Sequence, residues 1–388
     1  MMYFDFRTYF RMLELARKEK NAAGRRRLFF LLLAVVPVVS TVHAVCFLLD
    51  NLLFPGLRKV EVRTPVFIVG HARSGTTLLH RLMTEDADRF SFFLLYELFL
   101  PSLFQKKVVR FLGACDRRLL GGRIAKRIQA WDERMFAASK DMHATGLTAP
   151  EEDDFVHTFS CASGFWIVLL PYMGLLDFYY VDQRPPRSRR RLMRFYKACV
   201  KRQLYLNGPG KIHLSKNPTF SGRVESLIET FPDARIVVLM RNPHETIPSL
   251  LKLMRTNWRA AGWDDAQMIP SLRVLAGQSF HTYTYPLGVL ARHPETPHAI
   301  VDYRELIAHP ARTVETVYAQ LGFPVSPAFG QVLSAEERRA RSHETTHRYS
   351  LAEFGLESDA IHAALADLFA RYGWDASAPQ PATDEGAR

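Results

Sequence analysis

Val66-Phe-Ile-Val-Gly70-His-Ala-Arg73-Ser-Gly75-Thr-Thr77-Leu-Leu79 is the stretch that decides how the rest of the chain is read. Val66 to Val69 form an apolar run bounded by Pro65 and Gly70, the pattern of a buried strand. Leu78, Leu79, Leu82 and Met83 then recur at helical spacing. Between strand and helix, Gly70 and Gly75 frame a turn whose backbone N–H groups can converge on an anion, with the positive end of the helix dipole behind them. The unit is a phosphate cradle. A nucleoside-triphosphatase loop would read G-x-x-x-x-G-K-[ST], but Thr76 stands where that lysine belongs, and the cation present is Arg73, inside the loop.

Outward from this unit the same logic repeats. Val224, Leu227, Ile228 and Phe231 sit at helical spacing, Arg235 to Met240 reads as a buried strand, and Ile247, Leu250, Leu251 and Met254 mark one face of a following helix. Ala299 to Asp302 reads as a further strand, and Pro310 to Leu321 as a helix ended by Gly322 and Pro324. Strands alternating with helices predict an α/β fold with a parallel sheet covered on both faces. Residues 100–210 read as a mainly helical insertion that would shape an acceptor site. By composition the chain divides into a basic and apolar segment, 1–60, a catalytic domain, 61–375, and a flexible tail, 376–388, rich in Pro, Ala and polar residues.

The formal net charge of +12 is concentrated. Residues 1–27 carry eight Lys/Arg against three acids, and residues 184–202 carry nine with no acid, which leaves the remainder near neutral. Two short basic segments argue against a nucleic-acid groove. Cys46, Cys115, Cys161 and Cys199 show no C-x-x-C pair, so neither a zinc site nor a disulfide scaffold is signalled. Leu28 to Leu49 holds no formally charged residue over a length near the ~20 residues of a bilayer span. It reads as membrane-associating, with a span, a buried hairpin and an in-plane segment all left open by Pro37, Ser40, Thr41 and His43. Arginines flank both ends, so orientation is not encoded. The run starts too late for a secretory signal and has no convincing small-residue cleavage site after it.

Two further motifs accompany the loop. Val-Val-Leu-Met-Arg241-Asn-Pro-His-Glu-Thr-Ile-Pro-Ser249 is a strand delivering an arginine, with a serine eight residues on; an Arg fork and a hydroxyl near a helix start suit a second phosphate. Pro248 beside Ser249 is expected to disturb that helix. His-Leu-Ser-Lys216-Asn-Pro218 lies between the two motifs. Together these resemble the sulfotransferase superfamily, whose loop reads G-x-x-[KR]-[ST]-G-T-T, and most closely its bacterial branch and the tyrosylprotein sulfotransferases, which also carry Arg in the loop. The resemblance implies a P-loop nucleotide-binding fold and 3'-phosphoadenosine-5'-phosphosulfate as donor. Arg73, Ser74, Gly75, Thr76 and Thr77 would bind its 5'-phosphosulfate, Arg241 and Ser249 its 3'-phosphate, and Lys216 would point at the sulfuryl group. The stretches Ala149 to His157, Asp302 to Pro310 and His347 to Leu356 extend the resemblance from about Val66 to Trp374.

Transfer of a sulfuryl group spreads negative charge over peripheral oxygens, so positioning and positive charge should carry the catalysis, with no metal needed. Arg73 and Lys216 are assigned that work. A base must take the acceptor's proton, and Glu97, in the apolar context Leu-Leu-Tyr-Glu-Leu-Phe, is the first choice, with His157 and Glu151 or Glu152 behind it. The aromatic run Gly164 to Val181 reads mostly as core and as a candidate wall for a lipophilic hydroxyl acceptor. The basic stretch 184–202 reads as a solvated helix face, with Leu192, Phe195 and Cys199 on its apolar side. A P-loop small-molecule kinase and a membrane-anchored binding scaffold are the competing readings; neither accounts for Arg73, Lys216, Arg241 and Ser249 together. Without a usable N-glycosylation site or a stem, the cytoplasmic side of a bacterial membrane is the expected location.

Overall fold

The computed structural model describes residues 2–19, 22–136, 146–340 and 351–374. Its centre is a parallel sheet of five strands, β1 (Val66–Gly70), β2 (Phe90–Ser91), β3 (Ile212–Lys216), β4 (Arg235–Met240) and β5 (His298–Asp302), in the order β2-β3-β1-β4-β5. Ile68 lies opposite Lys216 on one side of β1, and Gly70 opposite Leu239 on the other. The first strand in sequence is therefore the middle one in space. β3 was not legible as a strand because His213 and Ser215 alternate with its apolar residues, yet both polar side chains are buried.

Helices cover the sheet. In chain order they are α1 (Phe6–Lys18), α2 (Ala22–Phe30), α3 (Val36–Leu53), α4 (Thr76–Thr84), α5 (Leu95–Phe99), α6 (Leu103–Leu119), α7 (Arg123–Met135), α8 (Phe165–Leu169), α9 (Pro186–Asn207), α10 (Val224–Thr230), α11 (Pro243–Ala260), α12 (Asp265–Arg292), α13 (Tyr303–Ala308), α14 (Pro310–Gln320), α15 (Pro327–Ala340), α16 (Ser358–Ala364) and α17 (Ala366–Tyr372). The period of two along each strand divides the core. Phe67, Val69, Ile236 and Val238 pack with Phe195, Tyr196 and Trp258 on one face, while Val66, Ile68, Val237 and Leu239 pack with Leu79, Met83, Val314 and Tyr318 on the other. α5 to α9 fill the interval between β2 and β3, so the helical insertion is a crossover within one parallel sheet. The expected tail, 376–388, and the start of the His347 to Leu356 stretch lie outside the described residues.

Gly24–Leu53 is the one described helical stretch long and apolar enough to cross a bilayer. Leu31–Val35 within it is a π-helical turn, where the Val36 N–H reaches back to the Leu31 carbonyl. That wider turn comes immediately before Pro37, whose ring and missing N–H disfavour an ordinary helical turn. Leu32, Val36, Ser40, His43, Phe47 and Asp50 form one buried stripe along the run. Ser40 Oγ donates to the Phe159 carbonyl at 2.5 Å. Asp50 accepts from Ser102 Oγ (2.9 Å), from the Leu103 and Phe104 N–H groups (3.0 and 2.7 Å) and from Arg202 Nε (2.6 Å). One buried carboxylate thus caps the start of α6 and neutralises an arginine of α9. Residue 60 marks a boundary of composition, not of packing, since Tyr3, Phe47 and Val60 share a core cluster with β1 and β4.

The basic stretch 184–202 falls largely within α9, with Leu192, Phe195 and Cys199 buried and Arg187, Arg190, Arg191 and Arg194 exposed. Most of the aromatic run after Gly164 is core: Trp166, Tyr172, Phe178 and Tyr179 are buried.

Candidate active site

The carboxyl ends of β3, β1 and β4 lie side by side, and each delivers one of the cations expected from sequence. In an open parallel sheet this end of the strands is where ligands bind. The loop after β1 is shaped by backbone constraints. Gly70 has φ of 134°, and a Cβ there would lie 2.6 Å from the Leu239 carbonyl oxygen. Gly75 has φ of 94°, with a Cβ clashing at 2.6 Å against the Tyr303 ring. Arg73 adopts φ of 71°, a left-handed conformation uncommon for a residue with a side chain, and the turn is closed by the Ser74 N–H on the His71 carbonyl at 3.2 Å. Gly75 is the N-cap of α4, so Thr76 and Thr77 form its first turn. Ser74 Oγ is buried without a hydrogen-bond partner, an orphan that an anion or its hydration would satisfy.

On the β4 side, Arg241 Nη1 donates to the Arg73 carbonyl at 3.1 Å, and its Nε and Nη2 reach Glu245 at 2.8 and 2.6 Å. Its guanidinium lies 4.1 Å from the centre of the Tyr303 ring. Arg73 Nε donates to Ser249 Oγ at 3.1 Å, so Arg73, Arg241 and Ser249 form one constellation. α11 runs on through Pro248. Tyr283 of α12 supports both sides of this constellation: its hydroxyl donates to the Arg241 carbonyl at 2.7 Å and its ring stacks on His71 at 5.3 Å. Burial pushes the His71 imidazole down to about 4 against the small opposing effect of its bond to the Ala72 carbonyl, so the ring is neutral at pH 7. His71, Tyr283 and Tyr303 were missed by sequence reasoning. Tyr303, directly after the end of β5, carried a usable signal in its position.

On the β3 side, Lys216 is buried and donates to Glu152 Oε1 at 3.1 Å. Burial acts to lower its pKa, but Glu152, Glu151 and Asp153 outweigh burial and raise it, so Lys216 is held as the ammonium. Glu151 shows the reverse balance: burial raises its carboxyl above the ordinary value, with Lys216 opposing and Glu152 adding to the rise. Thr77, Arg81, Ala149, Pro150, Glu151, Glu152 and Lys216 line a cavity of about 200 Å³. The four consecutive acids divide their work. Glu151 and Glu152 face this cavity, whereas Asp153 is taken up by His213 (2.7 Å) and Tyr196 (2.5 Å), and Asp154 by Arg223 and Ser163 (2.8 Å each).

Glu97 stands elsewhere. Its carboxylate accepts from the Leu94 N–H at 3.1 Å and from Gln203 Nε2 at 2.6 Å, and it lies 3.5 Å from Arg110; Gln203 in turn accepts from the buried Lys106 at 2.5 Å. This is an interior network joining α5, α6 and α9, and Glu97 is not among the residues lining the cavity beside Lys216. His157 is buried against Phe195 and Tyr196, and burial, with Arg223 and Arg184, drives it well below the usual histidine range. It too is not among the cavity's lining residues.

Comparison with known proteins places this arrangement. A family model described as the sulfotransferase family matches residues 65–327. The omega-hydroxy-beta-dihydromenaquinone-9 sulfotransferases Stf3 of Mycobacterium bovis and Mycobacterium tuberculosis are each 28% identical over 348 residues, covering 82% of this chain and 77% of theirs. The crystal structure of sulfotransferase STF9 from Mycobacterium avium superimposes with a TM-score of 0.71 at 18% identity, over 96% of this chain and 93% of that one. That of STF1 from Mycobacterium tuberculosis H37Rv gives 0.63 at 21% identity, over 93% and 92%.

Proposed function

The chain belongs to the sulfotransferase family, and from that premise we propose that it moves a sulfuryl group from 3'-phosphoadenosine-5'-phosphosulfate to the hydroxyl of a lipid-like acceptor. The observation that carries this reading is the convergence of Arg73, Lys216 and Arg241 on one glycine loop from three adjacent strand ends. The nucleotide, when bound, supplies the sulfuryl group and a phosphate leaving group. Everything else is the work of this chain. The N–H groups of Gly75 to Thr77 and the orphaned Ser74 hydroxyl suit the 5'-phosphosulfate, and Arg241 with Ser249 suits the 3'-phosphate. Lys216, kept cationic by its carboxylate neighbours, is placed to offset the charge that grows on the transferred oxygens.

The role of base goes to Glu151 in this reading rather than to Glu97. Glu151 borders the cavity beside Lys216 and has a carboxyl raised by burial, which brings it closer to the working pH; Glu97 is committed to α5, α6 and α9. Glu152 is assigned to position Lys216. A lipid-like acceptor is supported by the named substrate of the Stf3 relatives, and membrane association by the long apolar stretch Gly24–Leu53.

Calorimetric titration with 3',5'-adenosine bisphosphate, in parallel with ATP and with an Arg241→Ala variant, tests the donor. Micromolar binding of the bisphosphate that the variant abolishes, with ATP much weaker, is the expected result. A preference for ATP with magnesium would overturn the reading in favour of a kinase.

A further inference from the structure

Helices α6 and α7 form a hairpin that, among the described residues, leaves many of its large apolar side chains exposed. Along α7, Ile124, Ile128, Trp131 and Met135 make a stripe at spacings of four, three and four, and all are at least half exposed; no residue of α7 is buried. On α6, Phe111 is 67% and Leu119 75% exposed. An apolar stripe costs free energy in water, and soluble proteins rarely leave so many large apolar side chains uncovered on one element. The polar residues between them are overwhelmingly basic. Lys107, Arg110, Arg117, Arg118, Arg123 and Lys126 are exposed, as are Arg127 and Arg134, against Glu133 as the exposed carboxylate of the two helices.

The hairpin is continuous with a second uncovered face. α3 packs against α6, joined through Asp50, and turns Val38, Val42, Val45, Leu48 and Leu52 outward. Its opposite face is hydrogen-bonded to the body through Ser40 and Asp50, contacts that would break if the helix left the domain to cross a bilayer alone. We propose that the α6–α7 hairpin and the outer face of α3 form a monotopic docking surface for a bilayer containing anionic phospholipid. Apolar stripes enter the acyl boundary while the flanking arginines and lysines meet lipid phosphates. The alternation of large apolar and cationic side chains fits that occupant better than a protein partner, whose interface core would be depleted of charge.

The surface is also tied to the cavity. Asp132 of α7 accepts from the Leu147 N–H at 2.9 Å, and the Ala149 carbonyl accepts from the Leu95 N–H at 3.0 Å, so the turn leading to Glu151 and Glu152 is tied to the hairpin at one point and to α5 at another. A docked hairpin would set the cavity near the headgroups, where a lipid-like hydroxyl is presented. This last consequence rests on the proposed acceptor; the docking itself does not.

The test is co-sedimentation of the full chain with phosphatidylcholine vesicles, with and without about one third phosphatidylglycerol. Wild type is expected to bind the anionic vesicles, with partitioning that falls about tenfold or more in an Ile128→Glu, Trp131→Glu double variant and falls with added salt. Circular dichroism and bisphosphate titration run on the same samples report folding and the donor site separately, so a folded chain that binds vesicles but no bisphosphate would refute the donor reading alone. Vesicle binding that is absent in wild type, or unchanged in the double variant, overturns the docking surface. Concentration-dependent self-association of wild type, lost in the variant and without vesicle binding, would also overturn it and assign the face to a second copy of the chain.

Discussion

Arg73 Nε donates to Ser249 Oγ at 3.1 Å although 176 positions separate them, and the bond ties the phosphate loop to the helix that follows β4. Ser249→Ala should lower affinity for 3',5'-adenosine bisphosphate by about tenfold, the worth of about one charge-assisted hydrogen bond. Affinity for 5'-AMP should change less. Calorimetry with both ligands checks this; equal losses would mean that Ser249 acts only by holding Arg73.

Lys216→Ala should cost about 10²–10³ in kcat with little change in donor affinity, because its charge is needed most where negative charge grows during transfer. Single-turnover assays with a lipid-like alcohol as acceptor separate the two quantities. A variant weakened only in KM would move Lys216 from chemistry to ground-state binding.

Glu151 accepts a proton only when ionised, and burial holds its pKa above 4.5, so the rate should fall as pH drops through that raised value and be full above it. Glu151→Gln should remove this acidic limb and lower kcat by about 10²–10⁴. Glu97→Gln should keep the limb and instead lower thermal stability, since it weakens the contacts of α5 with Gln203 and Arg110. The opposite pattern in the pH profiles would return the role to Glu97.

Asp50→Ala removes the cap of α6 and leaves Arg202 buried without its counter-charge, so it should destabilise the chain by about 3–5 kcal/mol. Urea denaturation measures the loss. A cost below about 1 kcal/mol would show that water or a neighbour replaces the carboxylate.

The sheet and its cradle were readable because burial on both faces forces β1 and β4 to be almost wholly apolar, and because a phosphate turn demands Gly70 and Gly75 at fixed spacing. Lys216 was readable only through a motif, since β3 carries His213 and Ser215 where a buried strand would show aliphatics. The choice of base between Glu97 and Glu151 is not legible in the same way. An acid in an apolar context looks the same in sequence whether it borders a cavity or a hydrogen-bond network, and what separates Glu97 from Glu151 is the pairing partner, supplied by Gln203 more than a hundred residues away. Glu151 to Asp154 raise the same difficulty in miniature, because adjacent acids face opposite ways.

The buried stripe on α3 also bears on how the chain can be handled and how it can evolve. An anchor joined by a loose tether can be trimmed away or swapped for another, leaving a soluble catalyst behind. Here Leu32, Val36 and Phe47 fill space between α8, α9 and the sheet, and the Asp50 carboxylate is the ligand of two other helices. Cutting before residue 60 would open that interior to water rather than release an intact enzyme, so the apolar N-terminal helices and the central sheet must be inherited, expressed and mutated as one piece.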